Sequence, residues 1–240
     1  MSLSGKKFLV TGASSSIGCA ISLKLSLLGS ILVLTGRDEE RLNNTFSQLY
    51  GSGHEKYLAD LSNIDEIEPM INQTVKSEKY SGFVHCAGLL SIRPLRMLTT
   101  DILRKCMETH FFSFVEIVRI ITKKQNFEER GGSIVAMSST ASDSGEIGQT
   151  AYSAAKAAID ASVRTLSFEL APKNIRINSI RAGVMTKGAK TGISDDALIS
   201  KQLLGIGSPD DVASAVVFLL SEDSRFMTGR FMYLDGGRFL

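Results

Sequence analysis

Tyr152 and Lys156 stand four residues apart in a stretch, Ala151–Leu170, that reads as a helix, so a phenol and an ammonium project from one face and can converge on one ligand. Ser139 closes the β-branched run just before them, which puts its hydroxyl at the carboxyl edge of the sheet that run joins. The chemistry open to such a set is proton transfer. A Tyr-x-x-x-Lys pair alone is common on ordinary helices and marks no more than a surface pair. A second signal lies at the start of the chain. Phe8-Leu-Val-Thr11 runs into Gly12-Ala-Ser-Ser-Ser-Ile-Gly18 and then into a helical pattern. A glycine-bearing turn between a first strand and a first helix lets backbone amides and the helix dipole meet a pyrophosphate. Gly12 could simply end a strand and Gly18 simply admit close packing, but the loop's place as the first βα turn favours the phosphate reading.

The elements that must position these groups alternate along the chain. Strands are predicted near Lys7–Thr11, Ile31–Thr35, His54–Leu58, Gly82–Cys86, Gly132–Ser138, Arg176–Ile180 and Phe231–Leu234. Helices are predicted near Ile17–Leu28, Asp38–Tyr50, Asp65–Lys76, Asp101–Lys124, Ala151–Leu170 and Pro209–Leu220. Seven strands with helices between them predict an α/β fold, a Rossmann-type doubly wound parallel sheet with helices on both faces. Pro69 fits its helix only within the first turn, where amides lack intrahelical partners. Ser208, Pro209, Asp210 and Asp211 form the clearest helix start, with an N-cap, a first-position proline and acids at the positive end. Lys187–Gly207, rich in Gly, Ser and Lys and lying after the sixth strand, is a candidate substrate lid.

Composition narrows the partner. A chain of 240 residues with a formal charge of +2 suits one domain over 1–240 and has no field to gather nucleic acid or anionic lipid. The partner expected is a small molecule. Phe8–Val10 is too short for a signal core and no apolar run approaches a membrane span, so a cytoplasmic protein is expected. Cys19, Cys86 and Cys106 are widely spaced, which points to reduced thiols and neither a disulfide framework nor a metal site.

Several motifs in order, at matching spacing, give a firmer reading. They are Thr11–Gly18, Asp60-Leu61, His85-Cys-Ala-Gly88, Ser138-Ser139, Tyr152-Ser-Ala-Ala-Lys156, Ile175–Ile180 and Thr228–Gly237. Over nearly its whole length the chain resembles the short, non-extended branch of the short-chain dehydrogenases/reductases, in particular the 3-oxoacyl-acyl-carrier-protein reductases and the sugar, polyol and steroid reductases of the same layout. The resemblance implies an oxidoreductase acting as a carbonyl reductase, or in reverse an alcohol dehydrogenase. Tyr152 would give a proton to the carbonyl oxygen while a nicotinamide cofactor delivers hydride to the carbon. Lys156 would lower the phenol pKa from its usual value of about 10 and hydrogen-bond the nicotinamide ribose. Ser139 would hold the substrate oxygen.

For the cofactor the resemblance assigns Gly12, Ser14, Ser16, Ile17 and Gly18 to the pyrophosphate, Asp60 and Leu61 to adenine, and Ala87 and Gly88 to the ribose side. Gly183 and Thr186 go to nicotinamide, beside Tyr152 and Lys156. The second strand ends Leu34-Thr-Gly-Arg37 without the carboxylate that would grip ribose hydroxyls, whereas Arg37 can pair with a 2′-phosphate. NADP(H) is therefore expected ahead of NAD(H). The competing reading makes Arg37 a mere flank of a helix capped by Asp38.

The chain departs from the family's pattern at several positions. Ser16 replaces a glycine and must tolerate a side chain at negative φ or accept strain. His110 stands where the family has an Asn whose main-chain carbonyl holds a water linked to the lysine, and could add a titrating catalytic group there. His85 and Cys86 replace an Asn pair that stiffens the sheet, and Ala182 replaces a proline. Thr186 comes three residues after Gly183 where the family places it four after, and the short segment from Gly183 to Pro209 implies an open or shallow pocket. An alternative from another class is a low-turnover NADP(H)-binding regulatory or scaffold protein; an epimerase or dehydratase is a third, disfavoured by the absence of an appended substrate domain. A homodimer or homotetramer is expected, packed through the Ala151–Ala161 face and the long helix Asp101–Lys124.

Overall fold

The computed structural model describes residues 3–75, 78–185 and 202–238. Side chains alternate along a strand, and here the alternation sorts two cores onto two faces of one sheet. Leu9, Phe83, Ile134 and Ile177 are in register across four strands and meet one cluster of buried residues. Val10, Val84 and Val135 form the neighbouring row and meet the other. A sheet buried on both faces needs apolar residues at every strand position, and this is why the strands read as near-continuous apolar runs.

The strands are β1 (Lys7–Thr11), β2 (Ile31–Gly36), β3 (Glu55–Leu58), β4 (Gly82–His85), β5 (Gly132–Ser139), β6 (Ile175–Ala182) and β7 (Phe231–Leu234). All pair in parallel, in the order β3-β2-β1-β4-β5-β6-β7. The helices are α1 (Ser16–Leu27), α2 (Glu39–Ser47), α3 (Ile67–Thr74), α4 (Thr100–Met107), α5 (Ser113–Ile121), α6 (Thr150–Leu170) and α7 (Pro209–Leu220). Helices α1, α2 and α7 cover one face, and α3, α5 and α6 the other. The doubly wound seven-stranded sheet is thus as the sequence predicts. Strand order reverses between β1 and β4, and in such sheets the crevice at the carboxyl ends of the strands flanking that point is where ligands bind.

Several boundaries move. α2 stops at Ser47, not Tyr50; His54 precedes β3 and its Nδ1 accepts from the Leu32 amide at 3.1 Å. Pro69 is the third residue of α3, inside the first turn, because a short turn at Ile64–Glu66 precedes the helix proper. α7 begins with the expected cap: Ser208 Oγ accepts from the Asp211 amide at 3.3 Å, and Asp211 accepts from the Ser208 amide at 2.8 Å.

The largest difference falls in the long helix expected over Asp101–Lys124. It is α4 and α5 joined by a wide π-helical turn at Glu108–Phe112. Two side chains serve carbonyls of that turn, Ser113 Oγ donating to Thr109 at 2.7 Å and His85 donating to His110 at 3.0 Å. Of the candidate lid, residues through Lys201 lie outside the described residues. Beyond it the Gln202 amide group binds the Val184 amide at 2.7 Å and the Gly205 carbonyl at 2.7 Å. Among the described residues no helix is long and apolar enough to cross a membrane.

Candidate active site

The turn from β1 into α1 is built so that backbone alone faces the crevice. Gly12 has φ +63°, and a Cβ there would lie 2.7 Å from the Ala87 nitrogen and the Cys86 carbonyl. A Cβ on Gly18 would lie 2.2 Å from the Gly12 oxygen. Ser15 caps α1, its Oγ accepting from the Gly18 amide at 3.0 Å and donating to the Gly12 carbonyl at 2.8 Å. The next two amides, of Ser16 and Ile17, take part in none of these bonds and lie at the positive end of the helix. Ser16 opens α1 in helical conformation, and Asn174 is the sole non-glycine at positive φ among the described residues, so the serine carries no backbone strain. Gly12→Ala combines a left-handed φ with two backbone clashes and should destabilise the fold by at least about 2 kcal/mol, read as a lower urea midpoint.

The residues expected to do chemistry come together at the opposite wall. Ser15, Ser16, Ile17, Gly88, His110, Ser139, Tyr152, Lys156 and Gly183 line one cavity of about 220 Å³, with Cys86, Leu89, Leu90, Met137, Ser138 and Ala182. Larger cavities exist elsewhere, between α1 and the segment 48–50 after α2 for example, but hold none of these groups. Ser139 is the last residue of β5 and its Oγ accepts from the Ala141 amide at 3.2 Å. Tyr152 and Lys156 occupy successive turns at the start of α6, with Lys156 Nζ 5.7 Å from the centre of the phenol ring.

Lys156 is 5 % exposed and its Nζ donates to the Met137 carbonyl at 2.6 Å. Burial brings its pKa down to about 8, against the opposing pull of Cys86, Asp160 and Cys106. Burial also raises the Tyr152 phenol, while a hydrogen bond with Ser139 acts the other way. The expected lowering of the phenol is therefore not the net effect in this site, because desolvation dominates and the ammonium's short bond goes to a carbonyl. Cys86 beside them is pushed up to about 12, again by burial, and is an inert thiol.

His110 belongs to this cavity in an unforeseen way. Its ring stands edge-on to Tyr152 at 5.6 Å and packs so tightly on Gly88 that a Cβ there would lie 2.3 Å from His110 Cε1. Nε2 lies 3.0 Å from the amide of Leu89 and 2.9 Å from its carbonyl, accepting from the first or donating to the second according to the tautomer, and Nδ1 has no partner. Burial and the nearby Lys156 charge hold its pKa well below the usual histidine value, so the ring is neutral. Its main-chain carbonyl is taken by His85. That carbonyl can only accept, so His85 carries its proton on Nε2, and Nδ1 accepts from Thr11 Oγ1 at 3.0 Å. Thr11 in turn accepts from the Ala87 amide at 3.2 Å. Burial drives His85 down to about 3, which fixes it as a neutral bridge between β1, β4 and the wide turn. No local sequence signal pairs positions 85 and 110. Leu89 and Leu90, directly after Gly88 at the sheet edge, could have been picked out by position.

At the far end, Arg37 follows β2 directly and Asp38 caps α2, accepting from the Arg41 amide at 3.0 Å. Arg37 is exposed and close enough to Asp60 to act on it. Burial acts to raise the Asp60 carboxyl, but the Ser62 hydroxyl and amide, then Arg37 and Lys105, outweigh it and hold the group low. Leu61 and Ala87 are buried, and a Cβ on Gly36 would lie 2.8 Å from Ser14 Oγ. These residues fit a dinucleotide: a cradle that only glycine permits, two unused helix amides and a cation at the second strand's end. Thr186 lies outside the described residues.

The comparisons with known proteins follow this geometry. Residues 12–238 match a family model described as Enoyl-(Acyl carrier protein) reductase. The 3-oxoacyl-acyl-carrier-protein reductase of Rickettsia felis is 32% identical over 98% of this chain and 97% of its own. Among solved structures, a dehydrogenase/reductase from Sinorhizobium meliloti superposes with a TM-score of 0.91 at 28% identity, over 100% of this chain and 97% of that one. A 7α-hydroxysteroid dehydrogenase complexed with NADH and 7-oxo glycochenodeoxycholic acid superposes with a TM-score of 0.89 at 26% identity, over 98% and 94%. With its parallel sheet, glycine turn and Ser-Tyr-Lys cavity, the chain belongs to the short-chain dehydrogenase/reductase family.

Proposed function

We propose that this protein is an NADP(H)-dependent oxidoreductase that reduces a carbonyl to an alcohol, or runs the reverse, with Tyr152 as general acid and base. The observation that carries the reading is convergence: Ser139, Tyr152 and Lys156 line the same cavity as Gly88, Gly183 and the first turn of α1. A bound nicotinamide cofactor supplies the hydride. Ser139 Oγ donates to the substrate oxygen and polarises the carbonyl as charge builds on it. Tyr152 Oη gives that oxygen its proton. A phenol raised by burial stays protonated at neutral pH, which suits donation. The Lys156 charge, 5.7 Å from the ring centre, stabilises the phenolate as it forms. His110, neutral and wedged between Gly88 and the phenol, keeps the Tyr152 ring in place.

The rim argues for a substrate with an apolar body. Leu90 lines the cavity and is half exposed, and Leu95, Met97 and Ile147 are exposed on the segment that continues from it and on the one joined to that segment by the Arg93 amide and the Gly148 carbonyl at 2.8 Å. An acyl thioester or a bulky ketone would cover these side chains; a sugar would not. The relatives' printed names, a 3-oxoacyl reductase and a steroid dehydrogenase, run in the same direction. Following NADPH absorbance against an acyl thioester, a sugar and a small ketone tests the reading. If NADPH binds tightly and no carbonyl responds, the low-turnover binding protein is the better account. Exposed Phe112 beside α5 and Phe168 on α6 are surfaces that the expected homodimer or homotetramer would cover.

The cofactor preference rests on Arg37. A guanidinium at the end of β2 pairs with a 2′-phosphate, whereas Asp38 is occupied as a helix cap. NADPH is therefore expected to bind at least about tenfold more tightly than NADH, the size of one charge-assisted contact, and Arg37→Ala to remove most of the difference. Fluorescence titration of both cofactors decides, and equal affinities in the unmutated protein would remove the NADP assignment.

A further inference from the structure

Ser139 and the Tyr152–Lys156 pair sit on separate segments, the end of β5 and the first turns of α6. Two hydroxyls that must meet one substrate oxygen need those segments held in a fixed relation. Lys156 Nζ on the Met137 carbonyl at 2.6 Å and Ser138 Oγ on the Lys156 carbonyl at 3.5 Å join β5 to α6 directly, and Arg181 adds a link from β6 to the turn after Ser139 and to α6. Along β6, Ile175 and Ile177 face the cluster that includes Ile159 and Val163 of α6, and Ile180 and Ala182 face the opposite cluster. Alternation therefore sends Ser179 and Arg181 toward α6.

Arg181 is 8 % exposed. Its Nε donates to Asp160 Oδ2 at 2.8 Å, and the other oxygen of Asp160 accepts from Ser179 Oγ at 2.7 Å. Asp160 is 1 % exposed and lies one turn beyond Lys156. Arg181 Nη1 donates to Asp143 and to the Tyr233 hydroxyl, which itself donates to Asp143. Asp143 closes the single turn Thr140–Ser142 that Ser139 caps, four residues after Ser139. The guanidinium also lies over Phe231 at 4.4 Å and Tyr233 at 5.1 Å, which fixes its plane against β7.

We infer that Arg181 is a positioning residue, tying the Ser139 turn through Asp143 and the Tyr152–Lys156 helix through Asp160 to one guanidinium, so that Ser139 Oγ and Tyr152 Oη converge on the same substrate oxygen. The inference rests on the proposed roles of Ser139 and Tyr152. Lysine cannot replace the arginine, because a point ammonium satisfies Asp160 or Asp143 but does not present donors in two fixed directions. A misplacement of about 1 Å between reacting groups costs about a hundredfold in rate, so a slack clamp shows in turnover before it shows in binding.

The test uses the full chain, a 3-oxoacyl thioester as probe and the variants Asp143→Ala, Arg181→Lys, Ser139→Ala and Asp143→Ala/Ser139→Ala. Asp143→Ala leaves Asp160 paired, so the protein should fold. Its kcat should fall about tenfold to a hundredfold, with KM and the NADPH dissociation constant within about twofold of the parent. In the Ser139→Ala background the same change should cost no more than about twofold, because no Ser139 hydroxyl remains to be placed. A general structural role would instead multiply the two losses. Amide hydrogen exchange gives a readout free of substrate: residues 140–149 should exchange at least about tenfold faster in Asp143→Ala and Arg181→Lys, with α7 unchanged. Unchanged exchange in that segment, or multiplicative losses in the double variant, overturns the inference. Should Ser139→Ala keep the parent rate, the Ser139 role itself has failed. With a probe that is not turned over, exchange decides alone.

Discussion

Tyr152→Phe is expected to lower turnover of a responsive ketone by about a hundredfold to ten-thousandfold, the usual cost of losing general acid catalysis, while NADPH affinity stays within about twofold of the parent. The split follows from what the substitution removes. The ring keeps its edge-on contact with His110, 5.6 Å between centres, and its place beneath the Lys156 charge, so the wall of the cavity is intact. The hydroxyl alone is gone, and with it the hydrogen bond toward Ser139. Direction of reaction adds a second check. Reduction needs both the protonated phenol, which burial favours, and the Lys156 ammonium, whose pKa is about 8. The reductive rate should therefore hold to about pH 8 and fall above it as the lysine loses its charge, while alcohol oxidation, which needs the phenolate, should climb as pH rises toward that point. Stopped-flow or steady-state NADPH absorbance measures both. Turnover at the parent rate in Tyr152→Phe would remove the phenol from the mechanism.

What the sequence could reveal of this site divides by range. Local order was legible. The β1–α1 turn, the capped start of α7 and the four-residue spacing of Tyr152 and Lys156 are written in contiguous residues, and each appears as read. Strand cores were legible because a sheet covered on both faces forces apolar residues at consecutive positions. The wide turn at Glu108–Phe112 was not, since one of the two side chains that serve its carbonyls, His85 on His110, comes from twenty-five residues away, and the other, Ser113 on Thr109, is a bond that ordinary helices also carry. A helical apolar period runs straight through that turn without a Pro or Gly to flag it. The same holds for Arg181. In the sequence it is one basic residue in a strand; only parallel pairing of β5 with β6 and packing of α6 bring it to Asp143 and Asp160. Ser16 shows the converse: of the two outcomes left open for it, the side chain is tolerated without strain, because the helix starts one position earlier than the apolar pattern implied.

Lys156→Met should separate function from stability. Turnover should fall at least about a hundredfold and NADPH bind less tightly, because the variant loses both the charge that steadies the phenolate and the proposed contact to the ribose. The fold, however, should become more stable at pH 7. A lysine has its ordinary pKa of 10.5 in the unfolded chain and about 8 in the folded one. Below pH 8 both states hold the proton, and the folded state bears the full cost of the buried charge, which a difference of that size puts at about 3 kcal/mol. Between pH 8 and 10.5 the unfolded chain binds a proton that the folded chain has lost, so this cost shrinks as pH rises. Losing the bond to the Met137 carbonyl offsets about 1 kcal/mol, leaving a net gain for the variant of about 1–2 kcal/mol at neutral pH. Buried thiols such as Cys86, pushed up to about 12, act in the opposite sense above pH 9 in both proteins, and the Lys156 charge that opposes the Cys86 shift is already lost there, so the comparison of the two reports chiefly on the lysine. Urea unfolding of parent and variant at pH 7 and pH 10 measures it: the variant's advantage should be present at the lower pH and largely gone at the higher. An advantage that does not change with pH would mean that the Lys156 ammonium is not held in the folded protein against its own desolvation, and that the charge available to Tyr152 is weaker than the mechanism requires.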